Sequence, residues 1–151
     1  SQQVCESRLY QRKFKGPSEV LVAILAGRER GLGVIGSLQA INVIQGAPAF
    51  SAHAIVAFAK AHPDCEYFML LDSGPEQATY ETKRRGTPSA ERLTYTIDEA
   101  KLSGCYKSSG PWGMRPAAML RKQAGCELAR AVYPDATQGL YCPEEPTGEE
   151  L

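Results

Sequence analysis

Between Glu66 and Thr96 the sequence alternates β-forming runs with tight turns, and this punctuation constrains the fold more than any other stretch. Glu66 to Leu71 is apolar-rich and stops at Ser73-Gly74-Pro75. Ala78 to Arg84 alternates through Thr79, Tyr80, Glu81, Thr82 and Lys83, then stops at Gly86-Thr87-Pro88-Ser89. Arg92 to Thr96 places Leu93 and Tyr95 on one face. Connections this short join antiparallel neighbours, whereas parallel strands need a crossover of a dozen or more residues, so the three runs predict a meander. Thr96-Ile97-Asp98-Glu99 follows with the spacing of a capping box and predicts a short helix ending near Ser103-Gly104.

The flanking segments read as helices and one hairpin. Ser18 is placed to cap a helix carrying Val20, Leu21, Ile24 and Leu25 as far as Arg30, with Gly31 as a left-handed stop. Ile41 to Ile44, a turn over Gln45-Gly46-Ala47-Pro48, and Ala49-Phe50 predict a hairpin. Ser51 begins a helix through Ile55, Val56, Phe58 and Ala59 that halts at His62-Pro63. Tyr106 to Gly113 reads as a loop containing Trp112. Pro116 opens a final helix with Leu120, Ala124, Leu128 and Ala131 on one face, ended by Pro134. Strands that cluster instead of alternating with helices predict an α+β fold: an antiparallel β-sheet, hairpin plus three-strand meander, packed on helices. The 151 residues are expected to form one core over 1–134 and an acidic, proline-containing tail over 135–151.

Several function classes fit the sequence poorly. No apolar run approaches the ~18–20 residues of a membrane span, and no basic-then-apolar leader opens the chain, which predicts a cytoplasmic protein; the start at Ser1 instead of Met predicts a chain that is trimmed or part of something longer. The five cysteines are widely spaced without a C-x-x-C pair, and His53 and His62 have no nearby partner set, so no metal is expected. Residues 31–36 read GLGVIG, the G-x-G-x-x-G of a dinucleotide enzyme. However, polar Gly27-Arg28-Glu29-Arg30 precedes it instead of a strand, and Val56 lies where the ribose-binding acid belongs. No cofactor is therefore expected. Asp64, Glu66, Asp72, Glu76 and Glu81 are dispersed as solvated charges would be, and no nucleophile–base set emerges, so no enzyme is predicted.

Charge is more informative. The 17 basic and 17 acidic residues cancel, yet all 17 basic groups and only 12 acids precede residue 135. A mildly basic body with an acidic tail permits a polyanionic partner. Lys83-Arg84-Arg85 closes a predicted strand, which puts three cations at one end of the sheet. Lys107, Arg115, Arg121 and Lys122 bracket the Trp112 loop and the start of the last helix. Such cations attract phosphates, and Tyr106 and Trp112 either stack on unpaired bases or anchor the core. The two clusters are expected to converge in one trough wide enough for single-stranded nucleic acid.

Several phrases, in order, resemble the RecT-type phage single-strand annealing recombinases: VLVAILAGRERGLG after Pro17-Ser18-Glu19, SLQAINVIQGAPAFSA, EYF, YETKRRG, YTIDEAK with LSG, the Pro111-Trp112 before Pro116-x-x-Met119-Leu120, and PDATQGLYCPEE. The resemblance spans residues 17–146. It implies an ATP-independent protein that coats single-stranded DNA and anneals it through a duplex intermediate. Further implied partners are other copies in rings or filaments and a phage exonuclease or host single-strand-binding protein. It also implies a basic groove between sheet and hairpin, and carries DNA-binding roles to Lys83, Arg84, Arg85 and Arg121; Lys107, Trp112, Arg115 and Lys122 rest on chemistry alone. The chain departs from the family at Gln123, often arginine, and at Ala47, commonly lysine, and it is shorter than typical members. Those departures keep open an alternative: a structural or regulatory module of the same fold without DNA binding.

Overall fold

The computed structural model describes residues 12–138 together with Leu140 and Cys142; the polar stretch before Arg12 and most of the acidic tail lie outside the described residues. Contacts divide the described residues into two compact units. The first runs up to Ser51 and takes in Leu140 and Cys142, and the second runs from Ala52 to Gln138. The five strands likewise form two sheets, so hairpin and meander do not share one.

The first unit contains α1 (Pro17–Arg28), α2 (Val34–Ala40), β1 (Ile41–Ile44) and β2 (Ala47–Phe50). Ser18 lies inside α1, because Gly16 occupies the cap and Pro17 the first turn. Helix α2, which no periodicity announced, packs on α1 at Gly27, where an added Cβ would stand 1.9 Å from the Ser37 hydroxyl oxygen. Lys13 donates to the carbonyls of Leu38 and Gln39 at 2.6 and 2.8 Å, occupying the exposed end of α2. The hairpin turn is tighter than predicted: Gln45 and Gly46 alone form it, with φ of 51° and 82°. Pro48 consequently sits within β2 opposite Val43, tolerable because a two-stranded sheet has only edges. Gly31 follows a helix, so the glycine triplet lacks the strand–turn–helix setting that grips a pyrophosphate.

The second unit contains α3 (Ala52–Lys60), β3 (Cys65–Ser73), β4 (Gln77–Arg84), β5 (Glu91–Thr96), α4 (Ile97–Leu102), single-turn α5 (Pro111–Met114), α6 (Pro116–Val132) and single-turn α7 (Pro134–Thr137). The meander has the predicted antiparallel order β3-β4-β5. Thr96 and Glu99 form the predicted capping box.

Strand alternation divides the meander into two faces. On one face Ala78 and Tyr95 pack against Leu120 and Ala124 of α6 in a core that includes Trp112. Ala131 is exposed and Val132 is buried, so the apolar stripe of α6 runs one residue later than predicted at its end. The other face carries Tyr67, Met69, Thr79, Glu81 and Lys83. Glu81 accepts from Tyr67 at 2.9 Å and from Arg92 at 2.6 Å, and those donors hold its carboxyl below the usual range, Arg92 most of all. Among the described residues no helix is long and apolar enough to cross a membrane.

Candidate nucleic-acid interface

The basic residues singled out by sequence occupy opposite ends of the meander. Arg84 pairs with Cys65 at one end, and Ser73 pairs with Ala78 at the other. Arg84 donates to Val132 at the C-terminal end of α6, whereas Arg121 donates to Ser73 from its N-terminal part. Eleven residues at ~1.5 Å rise separate Arg121 from Val132, or roughly 16 Å of helix. The expected single trough is therefore absent within this unit.

At the first end, Lys83 and Arg84 point to opposite faces, as neighbouring strand residues must. Lys83 lies on the Glu81 face and donates to the carbonyl and hydroxyl of Thr87 in the following turn. Arg84 lies on the α6 face. It donates to both carboxylate oxygens of Asp135 at 2.9 Å and to the Val132 carbonyl at 2.7 Å, over the Tyr133 ring. His62 meets Asp135 at 2.6 Å and accepts from the Asp64 amide, an arrangement that leaves its Nε2 as the donor when the ring is neutral. These bonds hold the Asp135 carboxyl well below the ordinary range, with Arg84 the larger cause and His62 the next. Tyr133 is fully buried, its hydroxyl 2.8 Å from that of Thr82, and burial pushes its phenol up to about 12. Arg85 is exposed beyond the strand, its side chain without a hydrogen bond or ion pair among the described residues. Arg84 thus makes this end a clasp that fastens α7 to β4, while Lys83 is engaged by the turn that follows the strand.

Trp112 does not offer a stacking surface. It is 5% exposed and packs among Tyr95, Leu120 and Ala124. Tyr106 packs against the same cluster, with Lys101 over its ring. Lys107 and Arg115 are exposed on either side of α5, neither side chain paired among the described residues. Gln123 is buried and donates to Glu127 at 3.0 Å, so position 123 faces the interior and not a bound strand.

The remaining pair, Arg121 and Lys122, belongs to a groove that sequence reasoning did not assemble. Helices α3 and α6 approach closely at Gly125, where an added Cβ would sit 3.0 Å from Val56 and 3.5 Å from Tyr80. Alongside that contact they leave a cavity of about 270 Å³, lined on α3 by His53 and Lys60 among small apolar side chains and on α6 by Ala118, Arg121 and Lys122, with Tyr80 between. No carboxylate lines it. The Ser73 hydroxyl holds Arg121 at 2.8 Å, using one of its five N–H donors. Burial raises the Tyr80 phenol, and the charge of Arg121 opposes that rise, which places the guanidinium within electrostatic reach of the hydroxyl. Lys60 escaped notice because it stands 61 residues from Arg121 in a helix of ordinary appearance; only the crossing of α3 and α6 unites them. The groove's chemistry suits an anion with an apolar body.

No family model matches this chain, and no curated protein matches it.

Proposed function

We propose that this protein binds single-stranded DNA and anneals complementary strands without ATP, using the groove between α3 and α6 as a phosphate-binding segment. The carrying observation is the lining of that groove: Lys60, Arg121 and Lys122 around an apolar floor, with no acid among them. The phrases that resemble RecT-type recombinases support the annealing half of the reading. Phosphate neutralisation releases condensed counterions and offsets the cost of ordering the strand. Bases left facing outward then test a second strand for pairing, and the duplex that results is the intermediate. No bond is made or broken, so the protein is not an enzyme. Further copies extend the cationic track in a ring or filament. A phage exonuclease or host single-strand-binding protein is the partner class that supplies or covers the strand in the cytoplasm.

The test is a mixing experiment with two labelled complementary oligonucleotides, following annealing rate against protein concentration. The wild-type protein accelerates annealing, and the Arg121→Ala/Lys122→Ala double variant loses about tenfold or more of the gain at low salt. A double variant as active as wild type removes the groove from the reading. Wild-type protein without effect favours a second reading, a structural or regulatory module that ignores DNA. That reading draws on the neutral net charge and on the internal use of Lys83 and Arg84. Light scattering with and without an oligonucleotide separates the two, since only the annealing protein responds.

A further inference from the structure

We infer that Lys60, His53 and the Tyr80 hydroxyl complete the groove as a site for one backbone phosphate of a single strand with its flanking sugar, held between the walls of α3 and α6. The inference rests on the single-strand reading and adds three residues that neither basic cluster contained.

Lys60 ends α3 and is exposed, and its side chain makes no hydrogen bond or ion pair among the described residues; the same holds for His53 about two turns earlier on that helix. Both line the cavity from the wall opposite Arg121 and Lys122. An anion entering the groove thus meets donors from two helices, a geometry that one patch on one helix does not supply. Arg121 is positioned in advance by Ser73, so its remaining donors lose less freedom on binding. The Tyr80 phenol, like any tyrosine, is protonated at neutral pH, burial raises it further, and it presents a donor beside that guanidinium. The floor between the cations is alanine methyl and the Val56 side chain, which favours a sugar over a second charge. A volume of about 270 Å³ is close to the lower bound of ~300 Å³ for ligand pockets, enough for one nucleotide step and too little for a stacked base pair.

The experiment measures binding of a fluorescein-labelled oligothymidylate over a series of salt concentrations. Each phosphate contact contributes about 0.7 to the log–log salt slope on a single strand. Lys60→Gln is expected to lower the slope by about that amount and Lys60→Arg to restore it. Tyr80→Phe weakens binding with the slope unchanged, because it removes a neutral donor. An unaltered slope in Lys60→Gln overturns the inference and leaves the single-strand reading standing. If the wild-type protein binds no oligothymidylate, the single-strand reading falls. The site is then judged by titrating inorganic phosphate and following backbone amide shifts at Ala57 and Ala118. Shifts lost in Lys60→Gln uphold the anion site, and shifts absent from the wild-type protein overturn it.

Discussion

Two cationic regions of the second unit invite opposite conclusions from sequence and from structure. Lys83-Arg84-Arg85 is contiguous and conspicuous, yet Asp135 and a turn carbonyl engage two of its members. Lys60, Arg121 and Lys122 are scattered along the chain, yet they border one groove whose lining contains no acid. A carboxylate that the fold already sets against a cation, as Asp135 against Arg84, competes with any ligand for that charge. A run of like charges on a strand is moreover split between two faces by the pleat, whereas residues far apart converge when helices cross. On the proposed reading the clasp contributes stability and the groove contributes binding, and substitutions should separate these roles.

The largest expected effect is on the core between the meander and α6. Trp112→Ala removes a buried indole and should cost about 3–5 kcal/mol of stability in denaturant unfolding. A variant that kept full stability and lost only DNA binding would return Trp112 to a stacking role and blur the division. Next in size is the clasp. The Asp135 carboxyl is depressed in the folded protein, so its contribution is present above its unfolded value, near pH 4, and is lost as pH falls through the folded one. Asp135→Asn should therefore lower the melting temperature at pH 7, with the difference from wild type closing as pH drops below about 4. A constant difference across that range would show that Arg84 and His62 do not stabilise the ionised form.

A smaller and cleaner contrast sets Lys122 against Lys83, two lysines of equal charge in one unit. Lys122→Ala should reduce the salt slope of oligonucleotide binding by about 0.7, and Lys83→Ala should leave it unchanged. Equal losses would mean that the strand reaches both ends of the meander and that the two regions act together.

The meander was legible because its signals are local: Gly-Pro punctuation, alternation, and a capping box within four residues. Helix α6 was legible through Pro116 and Pro134. Helix α2 was not, since its seven residues have a β-branched start at Val34-Ile35 and a glycine at Gly36, a composition that resembles a loop leading into β1. Its place depends on Gly27 admitting Ser37, a contact between distant positions. The Lys13 ammonium caps the C-terminal end of that helix from 25 residues away, which no local signal announces. The candidate site was half legible. Arg121 and Lys122 were visible as neighbours, but the opposing wall required knowing that Gly125 lets α3 pack against α6. Trp112 was legible only as an aromatic among cations, a pattern that core anchors and stacking platforms share.

Arg85 provides the smallest expected change and the strictest test of the contrast. It is the one member of the contiguous cluster whose side chain is exposed and unpaired among the described residues, so removing it costs the fold nothing specific. Arg85→Ala should alter stability by no more than about 0.5 kcal/mol, as surface substitutions away from special features do. It lies at the Arg84 end of the sheet, with its backbone amide donating to the Asp64 backbone carbonyl at 2.7 Å. A strand seated only in the α3–α6 groove would leave Arg85→Ala with wild-type affinity at every salt concentration. A slope reduced as much as in Lys122→Ala would place a second phosphate roughly a helix length from the first. The bound strand would then have to follow α6 along the sheet, and charge at both ends would count.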